Sequence, residues 1–461
     1  MNTICPDVNI KDHENNALVC DEPYWRKRRV AVITLGCKVN QYESFAVMGM
    51  LREKGCRLVP FQEEADVYVI NTCAVTARSD YQSRQLIRRA YRRNPAAAVV
   101  VTGCYAQAAP SEIEAMPEVA LIAGNNEKMD IPACIEGIPE GRRMRVSSLD
   151  QSREFAFYPV GDFPGHTRAF LKIQDGCNAW CSYCIVPRVR GRSRSLPPEQ
   201  ALREVRRLGH RGYREIVLTG VHLGAYGADL RPATCLLDLL KAIEEGAAGV
   251  RIRLSSLEPA EVTDDLIRFA ARSRCLCPHF HVPLQSGDDE ILTAMGRAYA
   301  ADAFRNLVDR IHERIPRAAI GIDVLTGFPG EDEESAQRTF RLIESLPVSH
   351  LHVFPYSKRP GTPAAAMARQ VEEKVKKARA ESLRRLGRRK KSAFARLQVG
   401  TETTVLVEGN DMPSGEMKGL TDNYLTVFLG KYDPRLVNRF VAASVSEEED
   451  GNLRGTIRNV F

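Results

Sequence analysis

The sequence predicts an α/β protein of three parts: an N-terminal parallel sheet, a central partial barrel of six βα units, and a small antiparallel β-barrel at the C-terminus. Three observations predict it. From Arg29 to about Gly124, an apolar β-branched run, a cysteine-bearing loop and a helical stretch succeed one another three times. From Thr167, strand and helix patterns alternate through six further units. From Gly400 to Val460, short strand patterns are separated by Gly, Asn and Asp turns. Alternating strands and helices make right-handed crossovers and a parallel sheet, whereas closely spaced short strands close into a small barrel. The expected domains are 27–150, 162–395 and 397–461.

A chain of 461 residues is too long for one core. With 44% hydrophobic and 27% charged residues it reads as soluble and globular. No apolar run approaches the ~20 residues of a membrane span, and Met1 to Asp21 carries no secretory pattern. The expectation is a cytoplasmic protein with no membrane partner. Cytosolic chains rarely keep disulfides, so metal ligation is the better use for some of the thirteen cysteines.

In the N-terminal part the strands are Val30 to Leu35, Val67 to Ile70 and Ala98 to Thr102, followed by Cys37, Cys73 and Cys104. Helices are expected over Gln41 to Lys54, Arg78 to Arg93, and from near Ser111. In a parallel sheet the carboxyl ends of the strands share one edge, where ligand sites form. Cys37, Cys73 and Cys104 therefore either converge there or remain three separate loop cysteines. About Glu127 to Pro164 reads as a short strand and a linker.

The central strands are Ala169 to Ile173, Glu215 to Leu218, Arg251 to Leu254, His279 to Val282, Ala319 to Leu325 and His350 to Phe354. The first is followed by Cys177, Cys181 and Cys184, spaced C-x3-C-x2-C. Thiolates ligate iron–sulfur clusters and structural zinc. Zinc would want a fourth Cys or His, and Ile185 to Pro198 offers neither. Three sulfurs on one short loop point instead to a cubane cluster with one open iron, against the plain alternative of three core cysteines. Further loops place Ser256, Glu258, Gln285 and Gly327 at strand ends, as a nucleoside site or as ordinary turn chemistry. Cys5, Cys20, Cys56, Cys134, Cys235, Cys275 and Cys277 have no assigned role.

Three basic segments point to a nucleic-acid partner, although any one of them also reads as a solvated face. They are Arg84, Arg88, Arg89, Arg92 and Arg93; then Arg188, Arg190, Arg192 and Arg194; and Arg369 to Leu397, with twelve Lys or Arg against three Glu. Such clusters neutralise phosphates.

The C-x3-C-x2-C loop after the first strand of a βα series resembles the radical S-adenosylmethionine enzymes. Leu35-Gly36-Cys37-Lys38-Val39-Asn40-Gln41-Tyr42-Glu43-Ser44, Asn71-Thr72-Cys73-Ala74-Val75-Thr76 and Gly103-Cys104-Tyr105-Ala106-Gln107 resemble the N-terminal domain of the methylthiotransferases, and the β-rich end is similar to their RNA-binding TRAM domain. The resemblance spans about residues 29 to 455. It implies two [4Fe-4S] clusters, one on Cys37, Cys73 and Cys104 and one on Cys177, Cys181 and Cys184. It also implies S-adenosylmethionine held by Ser256, Glu258, Gln285 and Gly327, a tRNA anticodon loop as partner, and an electron donor it does not identify. Cys37-Lys38-Val39-Asn40, Pro278-His279-Phe280-His281 and His352-Val353-Phe354-Pro355-Tyr356-Ser357 resemble the branch acting on N(6)-threonylcarbamoyladenosine. The alternatives are isopentenyladenosine tRNA, a ribosomal-protein side chain, or a non-catalytic RNA-binding protein with structural clusters. Gly321-Ile322-Asp323 departs from the family's more usual Thr-Thr-Asp.

Overall fold

Six parallel strands build the N-terminal sheet of the computed structural model, which describes residues 27–135, 143–149, 154–247, 249–410 and 414–461. They are β1 (Arg29–Thr34), β2 (Arg57–Val59), β3 (Val67–Thr72), β4 (Ala98–Gly103), β5 (Leu121–Ala123) and β6 (Arg143–Arg145), in the order β2-β1-β3-β4-β5-β6. β3 is buried along its whole length, as its unbroken apolar run requires in a sheet covered on both faces. The three strands the sequence announces are the central ones. β2, β5 and β6 have three residues each, too few to show a period. The segment expected to hold a short strand turns helical at Lys128–Cys134 before β6. Cys5 and Cys20 lie outside the described residues. Helices α1 (Lys38–Glu53), α2 (Ala77–Arg93) and α3 (Cys104–Ala108) start one to five residues past their strands.

The central part contains β7 (Ala169–Lys172), β8 (Gln174–Asp175), β9 (Arg194–Ser195), β10 (Glu215–Thr219), β11 (Arg251–Leu254), β12 (His279–His281), β13 (Ala319–Thr326) and β14 (His350–Pro355). Two parallel sheets, β7-β10-β11 and β12-β13-β14, meet where Ile252 bridges Leu276, with Cys277 donating its amide to the Ile252 carbonyl at 2.8 Å. The six strands thus form one curved wall, and Cys275-Leu276-Cys277 is its seam. Helices Pro198–His210, Leu236–Gly246, Ala301–Arg314 and Glu333–Ser345 bury Val205, Leu239, Phe304 and Ile343 against Ile216, Ile252, Ile320 and Ile322. With a side-chain period of two, the alternate strand residues line the inner face. The pair β8–β9 is antiparallel and clamps the start of the C-x3-C-x2-C loop.

At the C-terminus β15 (Glu402–Asn410), β16 (Glu416–Thr421), β17 (Thr426–Lys431), β18 (Phe440–Glu449) and β19 (Asn452–Val460) close a barrel in the order β15-β16-β17-β19-β18. The expected all-antiparallel arrangement is modified at one pairing, since β17 and β19 run parallel. An odd number of strands cannot alternate direction around a closed ring. The helix Glu373–Arg396 leads into this barrel with Ala380, Leu383, Leu386, Phe394 and Ala395 buried, so only its opposite face presents charge to solvent. Among the described residues no helix is long and apolar enough to cross a membrane.

Glu215 joins the last two parts. Fully buried, it accepts from Arg253 Nε at 2.7 Å and Arg251 Nε at 2.6 Å, while Arg253 Nη1 donates to the Asp422 carbonyl at 2.9 Å. Burial alone would raise the Glu215 carboxyl, but Arg253 and Arg251 hold it down at about 2. Glu215→Gln should destabilise the protein by about 3 to 5 kcal/mol, because it strands buried guanidinium groups. A lower urea midpoint checks this. A carboxyl depressed on folding stabilises above its unfolded value near 4.5 and loses that contribution as pH falls toward 2. The wild type should therefore lose more stability across that window than the variant does.

Candidate functional site: two cysteine triads linked by a buried charge network

Each N-terminal cysteine stands where a strand hands over to a helix. Cys37 caps α1, Cys104 is the first residue of α3, and Cys73 lies three residues before Thr76, whose hydroxyl accepts from the Ser79 amide to cap α2. Amides at a helix start have no partner within the helix, so they suit an anionic sulfur. Convergence is visible in the packing. Gly36 sits at φ +101°, a backbone conformation glycine adopts without strain. A Cβ built there would stand 3.1 Å from Cys73 Sγ. Burial pushes the Cys73 thiol up, and the neighbouring Cys104 and Cys37 sulfurs add to that rise. The Asn125 amide approaches Cys104 Sγ at 3.9 Å while donating to the Val189 carbonyl at 2.6 Å.

The second triad lies on the loop after β8. The Ala179 amide donates to Cys177 Sγ at 3.3 Å, the Val186 amide to Cys184 Sγ at 3.4 Å, and Arg297 Nη1 to Cys181 Sγ at 3.3 Å. Each sulfur therefore has a nitrogen neighbour, and His222 Nδ1 also lies 3.4 Å from Cys177 Sγ. Burial pushes the Cys184 thiol up to about 12, and Cys181 and Cys177 contribute in the same direction. Three sulfurs on one short loop, each furnished with a nitrogen neighbour, fit a cationic iron–sulfur core that takes them as thiolates. The same test is met at the first triad by the helix starts and the glycine cradle. A cavity of about 470 Å³ opens beside Cys181 and Cys184, lined by Trp180, Arg188 and Thr362.

A buried charge network links the triads. Glu43, on α1 six residues after Cys37, accepts from Arg190 Nη1 at 2.6 Å, Lys172 Nζ at 3.0 Å and Lys128 Nζ at 2.5 Å. Lys172 also reaches Asp175, two residues before Cys177, at 3.2 Å. Arg190 donates its other nitrogen to the Asn40 amide oxygen. Burial opposes ionisation of Glu43, yet Arg190, Lys128 and Lys172 hold its carboxyl well below the usual range. Glu43 and Arg190 are 147 residues apart in sequence. Nothing in the local pattern around either residue announces the pair. The arginines after the loop accordingly divide: Arg188 and Arg192 are exposed, whereas Arg190 and Arg194 are buried in this network and unavailable to phosphate. On α2, Arg84 is engaged by Tyr105 at 2.8 Å and Arg93 by the Phe61 carbonyl, leaving Arg88, Arg89 and Arg92 exposed.

Of the other expected site residues, Ser256, Glu258, Gln285 and Gly327 stand just beyond β11, β12 and β13 on one rim. Glu258 pairs with Arg297, which ties it to Cys181. It also forms a reciprocal cap with Glu261, so the plain capping reading holds alongside any ligand role. Burial raises the Glu258 carboxyl against the opposing pull of Arg297. Gln285 adopts φ +63°, unusual for a side-chain-bearing residue, and hydrogen bonds to Asp323 and Leu325 of β13 fix it there. Gly327, at φ +71°, donates its amide to Glu331 Oε1 at 2.8 Å. Sequence reasoning missed His222 and Arg297, named Arg190 only among the phosphate-binding arginines, and gave Glu43 no role. A lone charged residue carries no periodic signal, and only the fold brings these to the sulfurs.

Three family patterns match in order: "Uncharacterized protein family UPF0004" over residues 29–124, "Radical SAM superfamily" over 171–343, and "TRAM domain" over 396–457. The chain is 41% identical over 412 residues to Threonylcarbamoyladenosine tRNA methylthiotransferase MtaB of Bacillus subtilis, covering 88% of this chain and 91% of that one. It is 39% identical to the protein of the same name from Aquifex aeolicus, covering 87% and 96%. To tRNA-2-methylthio-N(6)-dimethylallyladenosine synthase of Carboxydothermus hydrogenoformans it is 35% identical, covering 92% and 98%. Among solved structures, the radical S-adenosylmethionine methyltransferase TsrM of Kitasatospora setae superposes with a TM-score of 0.54 at 14% identity, over 74% of this chain and 75% of that one. That likeness is one of fold. The radical SAM domain entails S-adenosylmethionine and a [4Fe-4S] cluster. The chain belongs to the tRNA methylthiotransferase family of radical S-adenosylmethionine enzymes.

Proposed function

We propose that the protein converts N(6)-threonylcarbamoyladenosine beside the tRNA anticodon to its 2-methylthio derivative. The observation that carries this reading is the placement of two cysteine triads on either side of one charge network, Glu43–Arg190–Lys172–Asp175. Cys177, Cys181 and Cys184 hold a [4Fe-4S] cluster, and Cys37, Cys73 and Cys104 hold a second. Bound there, the first would pass an electron from an external donor to S-adenosylmethionine for its reductive cleavage, and the second would supply the sulfur inserted. Ser256, Glu258, Gln285 and Gly327 hold S-adenosylmethionine on the barrel rim, with Arg297 orienting Glu258. Arg190 and Lys172 fix α1 against β7 and thereby set the spacing of the triads. The domains at work are 27–150, 162–395 and 397–461.

The partner is the tRNA anticodon loop, whose unpaired bases can leave the stack. The exposed Arg88, Arg89, Arg92, Arg188 and Arg192 supply its phosphate contacts. Nucleoside analysis of tRNA from a deletion strain tests the proposal. The threonylcarbamoyladenosine should accumulate without its methylthio group and regain it on complementation. An unchanged mark would contradict the assignment. Relatives named for dimethylallyladenosine at 35% identity favour a second reading. The same measurement separates the two, since loss of the methylthio group from isopentenyladenosine alone would select it.

A further inference from the structure

The inner wall of the partial barrel gathers histidine. The chain has nine histidines, and His279, His281, His350 and His352 lie together on β12 and β14, flanking β13. The parallel register aligns His281 with Gly321, Gly321 with His350, and Asp323 with His352. Their neighbours Phe280, Ile320, Ile322 and Val324 face the helices and are buried in the main core. The period of two therefore turns the histidines and Asp323 to the interior.

His281 Nε2 lies 2.8 Å from Asp323 Oδ1 and His352 Nδ1 lies 3.3 Å from the same oxygen. One ligand atom from each of the three falls within 4.8 Å of the others. Two imidazole nitrogens and a carboxylate oxygen make a donor set for zinc and related divalent ions. A second observation is independent of that trio. His350 Nε2 is buried with no hydrogen-bond partner among the described residues, and so are both ring nitrogens of His279, which is 6% exposed. A buried polar atom left unpaired is costly and calls for an explanation. The ring of His350 reaches in only because position 321 is glycine: a Cβ there would stand 2.1 Å from His350 Nε2 and 2.9 Å from His281 Nδ1. The Gly321-Ile322-Asp323 segment thus makes room for a third imidazole beside the trio.

We propose that His281, Asp323 and His352 bind one divalent transition-metal ion of the zinc class on the inner barrel wall, with the His350 ring packed beside the site. This ion is separate from both cysteine triads. Its remaining coordination position faces the barrel interior, open to water or to an oxygen ligand entering there.

The test uses the anaerobically reconstituted, iron-loaded enzyme, freed of loose metal and then equilibrated with zinc alone. One equivalent of zinc per chain should stay bound in addition to the cluster iron. Asp323→Asn and His352→Ala should weaken that binding by on the order of 100-fold or more, with iron content unchanged. The His352 side chain is 54% exposed, so its variant is expected to fold. Zinc should raise the unfolding temperature of the wild type and not that of His352→Ala. Cobalt in place of zinc should give ligand-field bands without thiolate-to-cobalt charge transfer. Equal zinc retention in the wild type and both variants would overturn the proposal, leaving Asp323 as a hydrogen-bonding bracket for two rings. A thiolate charge-transfer band that persists in both variants would also overturn it, by placing the metal on a free cysteine.

Discussion

Changing Cys177, Cys181 or Cys184 to alanine should lower the reductive cleavage of S-adenosylmethionine by more than ~100-fold, because even outer partners of metal ligands cost 10–100-fold. The loop has no spare donor to substitute. Ile185 to Pro198 contains neither Cys nor His, and His222, 3.4 Å from Cys177 Sγ, is engaged by Glu261 at 2.6 Å. Formation of 5′-deoxyadenosine under reducing, anaerobic conditions measures the effect. Because the thiols must ionise to bind, and burial holds Cys184 up at about 12, cluster loading should also release protons and weaken as pH falls.

The complementary change has the opposite selectivity. Alanine at Cys37, Cys73 or Cys104 should leave S-adenosylmethionine cleavage in place while methylthiolated tRNA falls by a comparable factor. The N-terminal triad sits on a different sheet from β7 to β14, so its loss leaves the C-x3-C-x2-C loop and its donors Ala179, Val186 and Arg297 untouched. Product analysis of the same reaction mixtures for 5′-deoxyadenosine and for modified nucleoside separates the two roles. Equal loss of both products would mean that the triads do not divide the work.

Much of the architecture was legible because the chain repeats one device. An apolar β-branched run, a cysteine and a helix recur in the N-terminal part, and the runs Val67 to Ile70 and Ala98 to Thr102 became the buried centre of the sheet. The edge strand Arg57–Val59 shows no such run and is not announced by the sequence, whereas Arg143–Arg145 falls in the Glu127 to Pro164 segment that reads as a short strand and a linker. In the C-terminal barrel, Thr403 to Val407, Tyr424 to Phe428 and Phe440 to Val445 read as strands from the sequence, and the structure adds β16 and β19, whose apolar residues are broken up by polar residues and glycine. Of the site, the sulfurs were visible from spacing alone. The charges that hold them were not: Arg190 looked like one of four phosphate-binding arginines and is instead clasped by Glu43 and Asp175. Alternation along a short segment does not reveal which side faces a neighbouring domain. Gly321 shows the reverse case, a departure noticed in the sequence whose consequence appears only when the His350 ring is seen in the space it leaves.

Iron and acid-labile sulfide content after anaerobic reconstitution tests the two-triad account most directly. The wild type should hold about eight irons per chain, as two cubanes require. The Cys177/Cys181/Cys184 triple-alanine variant and the Cys37/Cys73/Cys104 triple-alanine variant should each hold about half of that. About four irons in the wild type, with one of the triple variants unchanged from it, would contradict the account.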